Sequence, residues 1–186
     1  LLDLEDSIAP NQKNRARYLV SEFLSKLEDR ARTWVRINPL GSDDCDADLK
    51  AIMAFAPGGI FLPKAEGRAD IEELDGKLTK LELENSIQQG STLVAALVTE
   101  TAKAMFNCGD YQNSPRLIAM SWGAEDLASV LGARLQQNPD GSYMPTFELA
   151  RSLCLLGAVA ANVVPVETVM PDFKDLETLK KRAEMI

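Results

Sequence analysis

Short apolar or β-branched segments alternate with longer segments of helical period along the whole chain, which predicts an α/β fold of parallel strands with helical crossovers. Two further observations sharpen that reading. The short segments are apolar throughout, as strands covered on both faces are. Six strand–helix units fill 186 residues, the spacing of an eight-unit barrel that takes about 250 residues, or about 31 per unit. The fold class expected is therefore α/β, a TIM (β/α)8-type barrel, with six βα units covered and the first and last units missing. An open doubly wound sheet is the alternative. Residues 1–186 read as a single barrel domain, an incomplete portion of the full barrel.

The first strand candidate is Leu1-Leu2-Asp3-Leu4-Glu5. A helix from about Asn11 to Asp29 follows, with Tyr18, Leu19, Phe23, Leu24 and Leu27 expected on its inner stripe. Thr33 to Asn38 is the second strand, closed by Pro39 and Gly41, and Asp46 or a neighbour caps a helix running to about Phe55. Gly59 to Pro63 is the third strand, and Ala69 to Asn85 a charged amphipathic helix. Thr92 to Thr99 makes the fourth strand and Thr101 to Phe106 a short helix. Leu117 to Ser121 is the fifth strand, with a helix from Glu125 to Leu131 after Gly123. Leu135 to Tyr143 reads as an exposed loop turning at Asn138-Pro139-Asp140-Gly141. A long helix from about Thr146 to Ala161, a sixth strand over Val163 to Val169 and a last helix from Leu176 to the end complete the pattern.

Composition narrows the function. Twenty basic against 28 acidic residues leave a net charge of −8, with no basic stripe, which argues against nucleic acid. The chain has no histidine, so a serine triad, an HExxH zinc site and imidazole acid–base chemistry are excluded. Cys45, Cys108 and Cys154 are odd in number, share no CxxC spacing and read as reduced thiols of a cytoplasmic protein. The longest apolar stretch, Leu153 to Val166, is interrupted by Gly157, Asn162 and Pro165 and too short for a membrane span. No signal peptide is visible, and because Leu1 opens the chain inside an apolar run, its true start is expected to lie earlier. No GxGxxG or GxxxxGK[ST] phosphate loop appears, which weakens the nucleotide-binding versions of the doubly wound alternative.

In either parallel fold the active site lies beyond the carboxyl ends of the strands. The polar residues there are Asp3, Glu5, Asp6, Arg36, Asn38, Lys64, Glu66, Glu100, Ser121, Glu125, Asp126, Glu167, Thr168 and Asp172. Carboxylates dominate, and carboxylates without histidine suit a hard cation such as Mg2+. Glu100 and Asp126 follow adjacent strands and can converge on one ion; the competing reading is that each carboxylate favours a helix N-terminus. Arg36 sits within an apolar strand, where a guanidinium needs a partner. It either pairs with Asp3 or Glu5, or clamps a substrate carboxylate with two parallel hydrogen bonds. Lys64 can reach the metal carboxylates, with pairing to Glu5 or Glu66 the preferred reading. Lys13 and Arg17 read as a solvated helix face, the run Glu72-Glu73-Asp75 as a solvated face, Phe61 and Trp122 as packing, and Cys154 as core. Gly123 lets backbone approach the site, and the amides of Ala124 and Glu125 are positioned for a substrate oxygen.

Leu2-Asp3-Leu4-Glu5-Asp6-Ser7, followed by Lys13 and Ala16-Arg17, resembles the opening strand and helix of the citrate lyase beta-subunit family. That family is the CoA-ester lyase branch of the HpcH/HpaI aldolase superfamily. Later segments agree in order and spacing: Val35-Arg36-Ile37-Asn38, Leu62-Pro63-Lys64, Thr99-Glu100-Thr101, Trp122-Gly123-Ala124-Glu125-Asp126-Leu127, Ala150-Arg151-Ser152 and Glu167 through Asp175. The resemblance covers essentially the whole chain. It implies a (β/α)8 barrel that binds Mg2+ through Glu100 and Asp126, with Glu5 and Asp6 near the metal or its waters and Arg36 on the substrate carboxylate. It implies cleavage or formation of a carbon–carbon bond in a 3-hydroxyacyl thioester such as citryl-, malyl- or citramalyl-CoA, with acetyl-CoA and a 2-oxo acid as products. For such a substrate Lys64, Lys13 and Arg17 are alternative contacts for the CoA phosphates, with the pairing and solvated-face readings above preferred. It also implies a homo-oligomer, of which the trimer is common, and an acidic residue beyond Ile186 donated by a neighbouring subunit. The family's first strand with its Arg-bearing loop, and its last unit, are not in these 186 residues. An aldolase acting on free 2-oxo acids and a non-catalytic subunit or truncated paralogue are the alternatives.

Overall fold

Leu2–Asp3 (β1), Trp34–Arg36 (β2), Gly59–Leu62 (β3), Leu93–Leu97 (β4), Leu117–Ser121 (β5) and Val164–Val166 (β6) form one sheet in a computed structural model. It describes every residue except Pro171, Phe173, Met185 and Ile186. The expected motif positions Pro171 and Phe173, and the last two residues of the final helix, lie outside the described residues. All neighbouring strands are parallel and follow chain order from β1 to β6. A doubly wound sheet reverses its strand order partway, so unbroken order is that of a (β/α) barrel wall. Register carries the carboxyl ends together, with Asp3 opposite Arg36, Arg36 opposite Phe61, Leu62 opposite Ala96 and Leu97 opposite Ser121.

Helices Lys13–Ser25 (α1), Asp43–Met53 (α2), Arg68–Glu84 (α3), Ala102–Asn107 (α4), Ala124–Leu131 (α5), Pro145–Ala161 (α6) and Leu176–Glu184 (α7) complete the chain. Their starts follow local chemistry. The hydroxyl of Ser42 accepts from the Cys45 amide at 3.3 Å and caps α2, so Asp46 stands inside the first turn with Asp43 and Asp44, where the helix dipole favours acids. Thr101 caps α4 in the same way, accepting from the Ala104 amide at 3.1 Å. Gly132 at φ +63 and Asn162 at φ +57 end α5 and α6 in the left-handed conformation.

The core lies between the sheet and these helices. Leu4, Val35, Ile37, Ile60, Leu62, Val94 and Met120 meet Leu24, Leu49, Ile52, Ile71, Leu74 and Leu78, all buried. Cys45, Cys108 and Cys154 are free and buried there. Helix α1 departs from the expected stripe: Ala16, Val20 and Leu24 are buried, while Tyr18, Leu19 and Phe23 are exposed. Two cations on the same helix set that phase. Lys13 Nζ donates to the carbonyls of Leu4 and Glu5 and to Asn38 Oδ1, each at 2.8 Å. Arg17 pairs with Asp44 and, at 2.7 Å, with the fully buried Asp48. Neither is the solvated face expected of them. Strand β6 is also exposed along its length, because it pairs on one side only.

A second ionic network sits at the opposite, amino end of the strands. Glu82, at 0% exposure, accepts from Arg116 Nη1 at 2.7 Å and Nη2 at 2.9 Å, and from the amides of Gly90 and Thr92. Asp75 completes the Arg116 pair, so of the acidic run only Glu72 and Glu73 are exposed. Among the described residues, no helix is long and apolar enough to cross a membrane.

Candidate functional site

A cavity of about 580 Å3 opens at the carboxyl ends of the strands, with Arg36, Glu100, Ser121, Gly123, Glu125 and Asp126 in its wall. Asp3, Asp6, Phe61, Trp122, Glu167 and Thr168 also line it. Each polar residue stands at or just past a strand end, where the chain turns toward its helix. Glu5, Asn38, Lys64, Glu66 and Asp172, expected at the same rim, do not line this cavity. Asn38 supports the backbone under Glu5, donating to the Leu4 carbonyl at 2.9 Å and to Asp48 at 2.6 Å. Glu66 turns to Thr101 at 2.7 Å and Lys103 at 2.9 Å instead of to Lys64. Asp172 is exposed.

Arg36 realises both pairings open to it. Nε and Nη2 reach the two oxygens of Asp3 at 2.7 and 2.6 Å, and Nη1 lies 2.9 Å from Glu5 Oε2. Burial works against the charge on Asp3, but the two-pronged hydrogen bonds from Arg36 win and hold its carboxyl down at about 2. Glu5, at 2% exposure, is pushed up by burial, which outweighs the pull of Lys64 and Arg36.

Lys64 is the residue that sequence reasoning understated. Its ammonium lies 2.5 Å from Glu5 Oε1, 2.9 Å from Asp126 Oδ2 and 3.9 Å from Asp6 Oδ2, while its amide donates to Glu100 Oε2 at 2.7 Å. Its backbone takes φ +54, a left-handed conformation that costs a residue with a side chain about 1–3 kcal/mol. Only the Pro63-Lys64 step after an apolar strand marks the place in sequence, and nothing there announces the dihedral.

Glu100 is 4% exposed, and burial, reinforced by Asp126 and Glu5 and opposed by the Lys64 amide, raises its carboxyl to about 7. Gly123 comes against it: an added Cβ would stand 2.8 Å from Glu100 Cγ and Oε1. The Gly123 amide donates to Thr99 Oγ1 at 3.1 Å, leaving those of Ala124 and Glu125, the first two of α5, without an intrahelical carbonyl to serve. Trp122 is buried as expected of packing, and its Nε1 also donates to Glu167, which Arg151 holds at 2.7 Å.

Glu5, Asp6 and Asp126 offer oxygens that all lie within 4.8 Å of one another. Glu5 Oε2 and Asp126 Oδ2 are buried without a hydrogen bond, though each has a cationic nitrogen 2.9 Å away. Hard oxygen donors with unused acceptor capacity, and no histidine or thiolate among them, fit a divalent cation such as Mg2+.

An acid-lined, cation-suited pocket on the carboxyl rim of a parallel β/α wall defines a class of barrel proteins whose chemistry is carried by strand-end loops. Within that class the chain belongs to the HpcH/HpaI aldolase/citrate lyase family, whose model matches residues 1–186. It is 34% identical over 183 residues to the citrate lyase subunit beta-like protein of Mycobacterium tuberculosis (strain CDC 1551 / Oshkosh), across 98% of this chain and 60% of that protein. It is 32% identical over 185 residues to the (3S)-malyl-CoA thioesterase of Cereibacter sphaeroides (strain ATCC 17029 / ATH 2.4.9), across 99% of this chain and 59% of that protein. The chain therefore spans about 60% of the length of these curated relatives. The crystal structure of protein CitE from M. tuberculosis with magnesium, acetoacetate and coenzyme A superposes with a TM-score of 0.81 at 34% identity, covering 97% of this chain and 61% of that one.

Proposed function

We propose that this chain carries the site of a Mg2+-dependent CoA-ester lyase. It would cleave a carbon–carbon bond of a 3-hydroxyacyl-CoA of the citryl-, malyl- or citramalyl-CoA type to acetyl-CoA and a 2-oxo acid. The observation that carries this reading is a pocket lined by Glu100, Asp6 and Asp126 beside a half-buried guanidinium, a pairing that suits a metal-chelated oxo-acid carboxylate. Glu100 and Asp126 would hold the ion, with Glu5 and Asp6 reaching it directly or through its waters. Bound there, Mg2+ supplies Lewis-acid polarisation and a template for the oxo acid. Arg36 would fix the far side of the substrate carboxylate, with its guanidinium plane held by Asp3. Past Gly123, the Ala124 and Glu125 amides would bind a substrate oxygen at the positive end of α5. The M. tuberculosis relative crystallised with magnesium, acetoacetate and coenzyme A supports both the metal and the thioester. Residues 1–186 would form an incomplete portion of a single barrel domain within a cytoplasmic homo-oligomer, a homotrimer by the family resemblance.

The similarity to a (3S)-malyl-CoA thioesterase favours a second reading, hydrolysis of the same thioester. Both are tested by incubating the full-length protein with (S)-citramalyl-, malyl- and citryl-CoA, in Mg2+ and in EDTA. Metal-dependent release of a 2-oxo acid and acetyl-CoA, reduced at least roughly a hundredfold in Glu100→Ala and Asp126→Ala, is the expected result. Free CoA without a 2-oxo acid selects the thioesterase. No turnover of any thioester with Mg2+ still bound points to an aldolase on free 2-oxo acids, and failure to bind Mg2+ overturns the metal-dependent reading.

A further inference from the structure

We propose that Lys64 is a tethered counter-cation of this site: its ammonium holds the carboxylate cluster together while no metal is bound and swings out when a divalent ion enters. Lys64 would thereby set the metal affinity of the protein. The inference rests on the metal reading above.

The geometry is that of a cation among its ligands. Lys64 Nζ lies 2.5, 2.9 and 3.9 Å from oxygens of Glu5, Asp126 and Asp6, the three residues whose oxygens converge within 4.8 Å. Glu5 is nearly inaccessible, and its Oε2 has no hydrogen bond and faces Arg36 Nη1 at 2.9 Å, so the ammonium neutralises the Oε1 side of that carboxylate and Arg36 the other. Mg2+ binds its oxygens at about 2.0–2.1 Å in near-octahedral geometry. An ammonium a few ångströms away would then be repelled by a doubly charged neighbour.

The side chain has somewhere to go. It is 30% exposed and also borders a neighbouring hollow of about 260 Å3, whose wall includes Glu66 and Asp70. Rotation about the side-chain bonds leaves the backbone in place, so the hydrogen bond that the Lys64 amide donates to Glu100 Oε2 survives the exchange. This division also gives the strain a reason. At φ +54 a glycine would donate the same amide without penalty, so the side chain accounts for a lysine there.

The experiment is calorimetric titration of the full-length protein with Mg2+, for the native chain, Lys64→Met and Lys64→Arg, with melting curves in EDTA and in saturating Mg2+. Lys64→Met is expected to bind Mg2+ roughly tenfold or more tightly, since a competing charge is gone. It should melt lower in EDTA and gain more than the native chain from Mg2+. Lys64→Arg, which keeps the charge, should stay within a few-fold of native affinity. Lys64→Gln, an uncharged donor of similar length, gives the same affinity comparison if Lys64→Met does not fold. Equal or weaker Mg2+ binding by the uncharged variants overturns the proposal and leaves the metal reading standing. No Mg2+ binding by any of the proteins overturns both.

Discussion

A Cβ at residue 123 would meet the Glu100 side chain, Cγ and Oε1 at 2.8 Å and Cδ at 3.2 Å. Glu100 is nearly inaccessible and the overlap includes its Cγ, so the whole side chain must shift and Gly123→Ala should cost the fold about 1–3 kcal/mol. The displaced oxygens should weaken Mg2+ binding roughly tenfold or more, because Mg2+ tolerates little departure from its geometry. Titration with Mg2+ beside a melting curve separates the two effects, and unchanged affinity would show that Gly123 does not position Glu100. At this scale the sequence was informative where a residue type had few options. A guanidinium in an apolar strand had to find an anion, and Arg36 found both candidates, Asp3 and Glu5. Lys64 was less legible, since one residue serves Glu100 through its amide and Glu5 and Asp126 through its ammonium. That arrangement depends on a left-handed backbone which lysine does not advertise.

Helix α6 lies so close to the segment after α4 that a Cβ at Gly157 would overlap the carbonyl oxygen of Cys108. Alanine is favoured over glycine in a helix by about 1 kcal/mol. Here the overlap is with backbone and cannot be relieved by a rotamer, so Gly157→Ala should destabilise by about 1–3 kcal/mol net. The melting temperature should fall by about 2–4 °C per kcal/mol, and a rise would show that α6 can shift without loss. The order and kind of the elements were legible because strands and helices differ in length and period. The phase of α1 was not. Counting apolar residues favoured Tyr18, Leu19 and Phe23, whereas the buried ends of Lys13 and Arg17 turn Ala16, Val20 and Leu24 inward. Strand β6 reads as a buried apolar run, yet its burial depends on a neighbour that no described residue supplies.

Two ionic networks stand at opposite ends of the sheet, and Glu82, at the end away from the cavity, should contribute to acid stability. Burial opposes the charge on Glu82, but Arg116 and the amides of Thr92 and Gly90 hold its carboxyl at about 2, below the unfolded value of 4.5. A depressed carboxyl contributes stability above the unfolded value and loses it as pH falls through the folded one. Roughly 3 kcal/mol should therefore disappear between about pH 4.5 and pH 2. Glu82→Gln should be less stable at neutral pH, by about 1–3 kcal/mol, with Arg116 still paired to Asp75 and bonded to Thr79 at 2.9 Å, and should flatten that part of the profile. Denaturant melts across the pH range test both, and a profile of unchanged slope would show that Glu82 does not carry the acid transition. Strands β4 and β5, five residues each, stand between this network and the cavity. At about 3.3 Å per residue that is roughly 16 Å, beyond the range over which substitutions influence one another. The two rims should consequently be thermodynamic strangers: the costs of Glu82→Gln and Gly123→Ala should add to within about 0.5 kcal/mol in the double variant. Substitutions that alter chemistry at one rim could then accumulate without spending the reserve of stability held at the other.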